Sequence, residues 1–185
     1  MVAMGEKLDL HDGEAVTIRT SAADSDGELL EMEAEWRPVE AHKPPAHFHP
    51  RQDEHFEILE GELTVKLGGE TRVLRAGDQL DIPRGTVHSM WPSGGALTRA
   101  SWQLRPALRS EDFFAAVHRM RAAGKTSSKG GMIDLPAAGL VFQAFPDEFR
   151  LALPGPVRGL VVALLAAIGR ARGYPAVEAG SGAEK

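Results

Sequence analysis

Three histidines and one glutamate stand at spacings that suit a metal site. His47 and His49 are separated by one residue, Glu54 follows shortly after them, and His88 comes in a separate segment after Pro83-Arg84-Gly85. Alternate side chains of a strand point to the same face, so His47 and His49 would present both imidazoles to one interior. Three imidazoles and a carboxylate suit Mn, Fe, Co, Ni, Cu or Zn, so we predict one divalent transition metal ion of undetermined identity at these residues.

The glutamate needs a break in the chain before it can join the histidines. Glu54 has the opposite parity to His49 in sequence, so the segment between them must turn or bulge, and Pro50 favours such a break. Four protein ligands would leave two octahedral positions open for a substrate oxygen, water or dioxygen. The alternative is a metal-free barrel in which His47 and His49 are surface or hydrogen-bonded residues.

Composition excludes several other kinds of site and partner. The chain has 185 residues, no cysteine and a formal net charge of −5. The absence of cysteine rules out disulfides, thiolate metal sites and a cysteine nucleophile. The acidic balance without a basic cluster predicts no nucleic-acid partner and no anionic membrane partner. The N-terminal residues Met1–Asp12 lack a continuous apolar run, which favours a cytoplasmic location.

The elements that must position these residues are mainly strands. From about residue 15 to residue 106 short apolar segments are punctuated by Gly, Pro and Asp, and Leu30–Trp36 alternates strictly between apolar and charged residues. This pattern predicts an antiparallel sandwich or barrel. Gly68-Gly69 predicts a hairpin, and a three-residue turn that pairs Val65 with Val73 is favoured because it matches apolar faces.

The character changes after residue 106, where we predict a helical extension over residues 107–175. Glu111–Ala123 has apolar residues at helical spacing and basic residues near its end. Met132–Phe145 is mostly apolar but contains Pro136 and Gly139, which predicts a broken helix.

A last helix is predicted over Pro156–Arg172, before Gly173. Its middle, Leu160–Ile168, is apolar all round but too short to span a membrane. We therefore expect it to be buried against the barrel or a partner subunit, and we expect a homodimer. The small and polar residues 176–185 predict a disordered tail.

The predicted metal ligands and their spacing resemble the two motifs of the cupin superfamily. His47, His49, Glu54 and Gly61 match the spacing of the first motif, and the second motif is matched by Gly77, Pro83, Gly85 and His88. The resemblance implies a double-stranded β-helix of jelly-roll type over residues 1–106, with residues 41–92 as the motif core, followed by the α-helical extension. Two positions depart from the family pattern, Ala41 and Pro92, and neither is a ligand position.

Other residues near the ligands are predicted to form a pocket. Phe56 and Ile58 share the parity of Glu54, and Met90 shares that of His88, so these three should line an apolar pocket, with plain core packing as the alternative. No serine stands in a nucleophile elbow, and no catalytic acid or base can be identified.

Two functions remain open from the sequence. The first is a metal-dependent enzyme acting on a small organic molecule, either a dioxygenase or an isomerase. The second is a non-catalytic cupin that binds a small molecule, in which the metal is structural or anchors the ligand. A fold does not decide between them.

Overall fold

The computed structural model describes residues 4–38, 43–127 and 132–177. Eleven strands and three helices occur in these ranges. In chain order they are β1 (Lys7–His11), β2 (Glu14–Thr20), β3 (Leu30–Trp36), β4 (His47–Phe48), β5 (Asp53–Glu60), β6 (Glu62–Leu67), β7 (Glu70–Arg75), β8 (Gln79–Ile82), β9 (His88–Ser93), β10 (Thr98–Arg105), α1 (Ser110–Ala122), α2 (Leu135–Ala144), β11 (Arg150–Leu151) and α3 (Gly155–Ala171).

The strands form two antiparallel sheets that face each other across the core, as the jelly-roll prediction required. One sheet has the order β1-β2-β3-β10-β5-β8, and the other has the order β11-β4-β9-β6-β7. In β3 the apolar side chains Leu30, Met32, Ala34 and Trp36 are all buried, while the charged residues between them are half-buried on the other face. Strict alternation therefore gives each strand one side for the core. The fold is mainly β, with helices following the barrel.

The turn between β6 and β7 has two residues, so the predicted three-residue turn was wrong. Val65 pairs with Arg72, and Gly68-Gly69 alone form the turn, with φ of 56° and 95°. Positive φ at both positions is typical of a two-residue hairpin turn. The error came from matching Val65 with Val73, which is 40% exposed; Leu74 takes the buried position on β7 instead.

Helix α2 is continuous, in contrast to the predicted broken helix. Asp134 caps its N-terminus by accepting a hydrogen bond from the Ala137 amide at 3.0 Å, and Pro136 lies in the first turn, where it does not interrupt the helix. Gly139 allows α3 to approach closely, because a Cβ at this position would lie 2.5 Å from the Cβ of Leu165. The proline and glycine thus begin and pack the helix without breaking it.

Helix α3 is less buried than the sequence predicted. It packs against α2 through Ala166 and Gly169, the two residues of α3 that are buried. Val157, Leu160 and Leu164 are 49%, 72% and 59% exposed. This face is therefore not buried against the barrel, and its burial against a partner subunit stays a prediction. No helix among the described residues is long and apolar enough to span a membrane. Residues 178–185, most of the predicted tail, lie outside the described residues, as does position 41.

Candidate metal centre

The two sheets bring the predicted ligands together from opposite walls of the barrel. His47 lies in β4 opposite His88 of β9, and His49 follows directly after β4. Glu54 lies in β5, which belongs to the other sheet. The chain between His49 and Glu54 thus crosses from one sheet to the other, which resolves the mismatch of parity. One ligand atom from each of the three histidines lies within 4.8 Å of the other two.

Glu54 lies against two of the three histidines. Its Oε2 is 3.1 Å from His88 Nε2, and its Oε1 is 3.4 Å from His49 Nε2. The Nε1–H of Trp102 donates a hydrogen bond to Oε1 at 3.1 Å. The approaches to the histidines are not directed as hydrogen bonds, and His49 Nε2, His88 Nε2 and Glu54 Oε2 are buried without a hydrogen-bond partner. Buried polar atoms without partners are costly, so their convergence needs an explanation.

Backbone carbonyls fix the orientation of all three imidazoles. His47 Nδ1 lies 3.0 Å from the carbonyl oxygen of Pro45, His49 Nδ1 lies 2.6 Å from that of Glu148, and His88 Nδ1 lies 3.0 Å from that of Thr86. A carbonyl can only accept, so each Nδ1 donates its proton and each Nε2 keeps a lone pair. Metal-binding histidines are held in this way.

The electrostatics of the cluster keep the imidazoles neutral. Burial lowers the pKa of His49 to about 4. Burial, reinforced by the neighbouring His88 and His49, holds the pKa of His47 well below its usual value. Burial raises the pKa of Glu54 to about 7, against the opposing influence of His88 and Trp102. Neutral imidazoles are the form that binds a metal. A cation bound beside Glu54 would favour the ionised form of this buried carboxylate.

These residues fit a divalent transition metal. Three imidazole nitrogens and one carboxylate oxygen form a borderline donor set, and the unpartnered Nε2 and Oε2 atoms point to the same small region. The three histidine donors lie within 4.8 Å of one another, a spacing at which one ion can contact all three, and Glu54 lies 3.4 Å from His49 and 3.1 Å from His88.

The cluster lies at one side of an apolar cavity of about 160 Å³. This is close to the roughly 150 Å³ of a cavity that can hold a benzene ring. The barrel supplies Trp36, Met90 and Trp102 to the wall, and the helical extension supplies further residues. Aromatic side chains dominate the part contributed by the extension: Phe113, Phe114, Phe142 and Phe149.

The predicted pocket residues separate into two groups. Met90 lines the cavity. Phe56 and Ile58 do not line it; they are 0% and 1% exposed in the core. Phe56 has the predicted inward direction, but Trp102 stacks on it with ring centroids 5.3 Å apart and stands between it and the ligands. The parity of the residues predicted which face of β5 is directed inward, but it did not predict that Trp102 stacks on Phe56.

Residues of the extension that the sequence did not single out complete the site. Glu148 provides the carbonyl that orients His49, and its own carboxylate accepts a hydrogen bond from the Arg109 amide at 3.1 Å. Phe149 stacks on His47 with centroids 4.6 Å apart. These two residues reach the histidines because β11, which follows them directly, pairs with β4. No motif in the sequence predicts this pairing.

Comparisons with known proteins find one family model and several relatives that match part of the chain. Residues 37–99 match the sequence model of the Cupin domain family. "Oxidoreductase iacF" of Pestalotiopsis fici is 46% identical over 50 residues, which cover 26% of this chain and 24% of that protein. "Uncharacterized protein YdbB" of Bacillus subtilis is 56% identical over 43 residues, or 23% of this chain and 38% of that protein. The matched segments span between 21% and 40% of the curated relatives' own lengths.

Solved structures with a similar fold include KdgF from Halomonas sp., with 21% identity, a TM-score of 0.47, and coverage of 55% of this chain and 86% of that one. The family match spans both histidine motifs and all three strands that carry the histidine and glutamate cluster. The resemblance to cupins is therefore confirmed for residues 37–99, and helices follow the barrel.

Proposed function

We propose that this protein is a metal-dependent oxidoreductase, of the dioxygenase kind, that acts on a small and largely apolar organic molecule. His47, His49, Glu54 and His88 would hold one divalent transition metal ion. The observation that carries the proposal is the convergence of three oriented, neutral imidazoles and a buried carboxylate at the wall of an apolar cavity.

A metal at this site would provide open positions for dioxygen or a substrate oxygen, and it would polarise the oxygen that it binds. The protein contributes the surroundings. Aromatic and aliphatic side chains line a space of about 160 Å³, in which a molecule of the size of a benzene ring can lie. Phe149, stacked on His47, restricts the approach to the cluster from the side of the extension.

The names of three relatives favour an oxidoreductase over an isomerase. Proteins of Pestalotiopsis fici, Arthrobotrys oligospora and Penicillium terrestre that share 37% to 46% identity over about 50 residues are each called an oxidoreductase. The size and apolar lining of the cavity favour a small-molecule substrate, and the net charge of −5 disfavours nucleic acid.

The test of the metal site is elemental analysis of protein purified without a histidine tag. We expect about one metal ion per chain after incubation with Mn, Fe, Ni or Zn, and a large loss in His88→Ala and Glu54→Ala. His55→Ala is the matched control, because His55 pairs with Asp81 at 2.7 Å on the outside of the barrel. Wild-type protein that retains none of these metals would refute the site.

The test of the reaction is oxygen consumption by the iron-loaded protein with a panel of small phenols. We expect turnover with at least one of them and none with His88→Ala. Metal-dependent binding of these compounds without any oxygen consumption would contradict the oxidoreductase and favour the alternative, a non-catalytic cupin in which the metal anchors a ligand.

A further inference from the structure

A second polar pair lies in the wall of the same cavity, far in sequence from the metal ligands. His11 ends β1 and Glu14 begins β2, and the tight turn Asp12-Gly13 joins them. His11 Nε2 contacts a carboxylate oxygen of Glu14, and the side chains are only 17% and 14% exposed. Both residues line the cavity that also contains the metal cluster.

The pair is unusual for its surroundings. The cavity wall also includes the apolar residues Leu10, Trp36, Phe113 and Val117, and the charged side chain of Arg121, which donates to Asp12 at 2.7 Å, lies near His11. A hairpin turn does not require a histidine and a carboxylate, and an ion pair at a turn would be better solvated if it pointed outward. Another histidine and carboxylate pair on the barrel, His55 with Asp81, lies on the outer surface, with Asp81 84% exposed.

We propose that His11 and Glu14 form the distal binding point of the cavity, which holds a hydroxyl group of a flat aromatic ligand whose other oxygen lies at the metal cluster. Only the placement of that other oxygen rests on the proposed function. Glu14 offers the acceptor, and His11 holds it through Nε2 while its own Nδ1 lies 3.4 Å from the Asp12 carbonyl oxygen. Trp36, Trp102 and Phe113 provide aromatic walls for the ligand. The pair therefore positions the ligand and selects for its second oxygen.

A matched set of catechols tests this selection. Each probe has the same two hydroxyls for the metal and, at carbon 4, either a methyl, ethyl or propyl group or the same chain ending in a hydroxyl. Binding to zinc-loaded protein can be followed by tryptophan fluorescence, because two of the three tryptophans line the cavity. Zinc avoids oxidation of the probes, since it has no redox chemistry.

We expect at least one hydroxyl probe to bind about tenfold more tightly than its alkyl counterpart, the value of one hydrogen bond to a charged group. His11→Phe and Glu14→Gln should each reduce this preference to near unity and leave the affinity for the alkyl probes within about twofold. His55→Phe, the surface control, should retain the preference.

The failures of the two proposals are distinguishable. If no hydroxyl probe is preferred by wild type, or if the preference survives in both variants, the distal binding point is wrong. If the alkyl catechols bind equally well without zinc or in His88→Ala, the metal site is wrong, and the preference for the hydroxyl can still be measured in the metal-free protein. Circular dichroism and thermal unfolding identify any variant that has lost its fold.

A second inference, on different observations, concerns the exposed side of α3. This α3 face consists of Val157, Leu160, Leu164, Ala167 and Ala171, which recur at spacings of three and four residues. All five are exposed, and no charged residue lies among them. The arginines of the helix are directed elsewhere: Arg158 donates to the Leu153 carbonyl at 3.1 Å, and Arg170 donates to Gln143 at 2.8 Å.

We infer that the α3 face binds the same face of a second copy, with the two helices antiparallel. The large residues occupy the first half of the face and the alanines the second half. Antiparallel pairing places Val157 opposite Ala171, Leu160 opposite Ala167 and Leu164 on the two-fold axis, so large residues meet small ones. An uncharged face avoids the like-charge contacts that self-association would otherwise bring together.

Cysteine crosslinking tests the arrangement directly, because the chain has no cysteine. Leu164→Cys should form a disulfide-linked dimer of twice the 19.9 kDa chain mass. Val157→Cys should not link to itself, because its two copies would stand roughly 20 Å apart at 1.5 Å per residue. A mixture of Val157→Cys with Ala171→Cys should link.

Sedimentation provides the second measurement. Leu160→Glu should give monomers, whereas Val73→Glu, at an exposed apolar position on β7, should not. Self-linking of Val157→Cys as efficient as that of Leu164→Cys would contradict the antiparallel arrangement. A wild-type monomer at tens of micromolar would refute the dimer, and binding of that monomer to phosphatidylglycerol vesicles would assign the face to a lipid surface.

Discussion

Replacement of Gly139 by alanine should destabilise the protein, although alanine is the better helix former. The new Cβ would lie 2.5 Å from Leu165 Cβ and 2.6 Å from the backbone nitrogen of Ala166. Backbone atoms cannot rotate away, so α2 and α3 must separate, at a cost of about 1–3 kcal/mol for overpacking. The gain in helix propensity recovers about 1 kcal/mol at most. We expect a net loss of up to about 2 kcal/mol, or a melting temperature lower by as much as about 8 °C.

Gly159→Ala is the matched control within the same helix pair. Nothing lies within 4 Å of a Cβ at Gly159. The same change should therefore stabilise the protein by about 0.5–1 kcal/mol. Urea and thermal unfolding of both variants beside wild type measure the two effects. If Gly139→Ala is as stable as Gly159→Ala, then α2 and α3 do not pack as closely as described, and the reasoning fails.

The Gly139 variant also tests whether the helices support the metal site. Phe142 of α2 lines the cavity, and the chain that leaves α2 carries Glu148 and Phe149 to His49 and His47. A displaced α2 should loosen these contacts, and loss of outer contacts to ligands typically lowers metal affinity by about 10- to 100-fold. Competition with a chelator measures this affinity. Gly159→Ala should bind metal as wild type does.

Two further changes have clear expected outcomes. Gln52→Ala should lower the free energy of unfolding in urea by about 1–3 kcal/mol. The buried side chain of Gln52 donates hydrogen bonds to the carbonyls of Pro106 and Ala107 and to Ser110 Oγ. The control Arg51→Ala, on the surface beside it, should change this free energy by less than about 0.5 kcal/mol. Burial lowers the pKa of His11, but the charge and hydrogen bond of Glu14 outweigh it and raise the pKa overall. The protonated pair therefore stabilises the fold fully below pH 6.5 and loses this effect as the pH rises through the raised value, so the stability difference between wild type and His11→Phe should be larger at pH 5.5 than at pH 8.5. A difference that grows with pH would refute the ion pair.

The parts of the structure that could be predicted from the sequence all depend on patterns among neighbouring residues. Alternation in Leu30–Trp36 depends only on neighbouring residues, and so does the His47, His49 pair. Periodicity of this kind is readable without knowledge of what packs against it. The predicted register of the β6–β7 hairpin was wrong because two local patterns competed. Apolar Val73 favoured pairing with Val65, whereas the two-residue glycine turn pairs Val65 with Arg72. Turn geometry fixes register more strongly than one exposed valine.

The parts that the sequence did not predict depend on contacts between distant segments. Glu148 reaches His49 across 99 residues of chain. Nothing in its neighbourhood distinguishes it from a surface glutamate, and it is buried only because α1 and α2 cover the mouth of the barrel. The same holds for the inward direction of His11, which has no local signal. Such residues become visible only when the docking of the extension is known.

This division has a functional consequence. The proposed metal ligands all lie within residues 37–99, the segment that matches the cupin family, whereas much of the cavity wall comes from outside it: His11 and Glu14 before it, and Phe113, Phe142 and Phe149 after it. A metal site built by the barrel can hold the same ion whatever lies above it, but the shape and polarity of the space beside the ion belong to the flanking segments. Changes at His11, Glu14 or Phe113, which do not contact the proposed ligands, should therefore alter which molecule binds while the metal content stays constant, whereas changes that disturb Glu148 or Phe149 should also weaken the metal. Changes in the motif residues should remove the metal and with it the anchoring of every ligand.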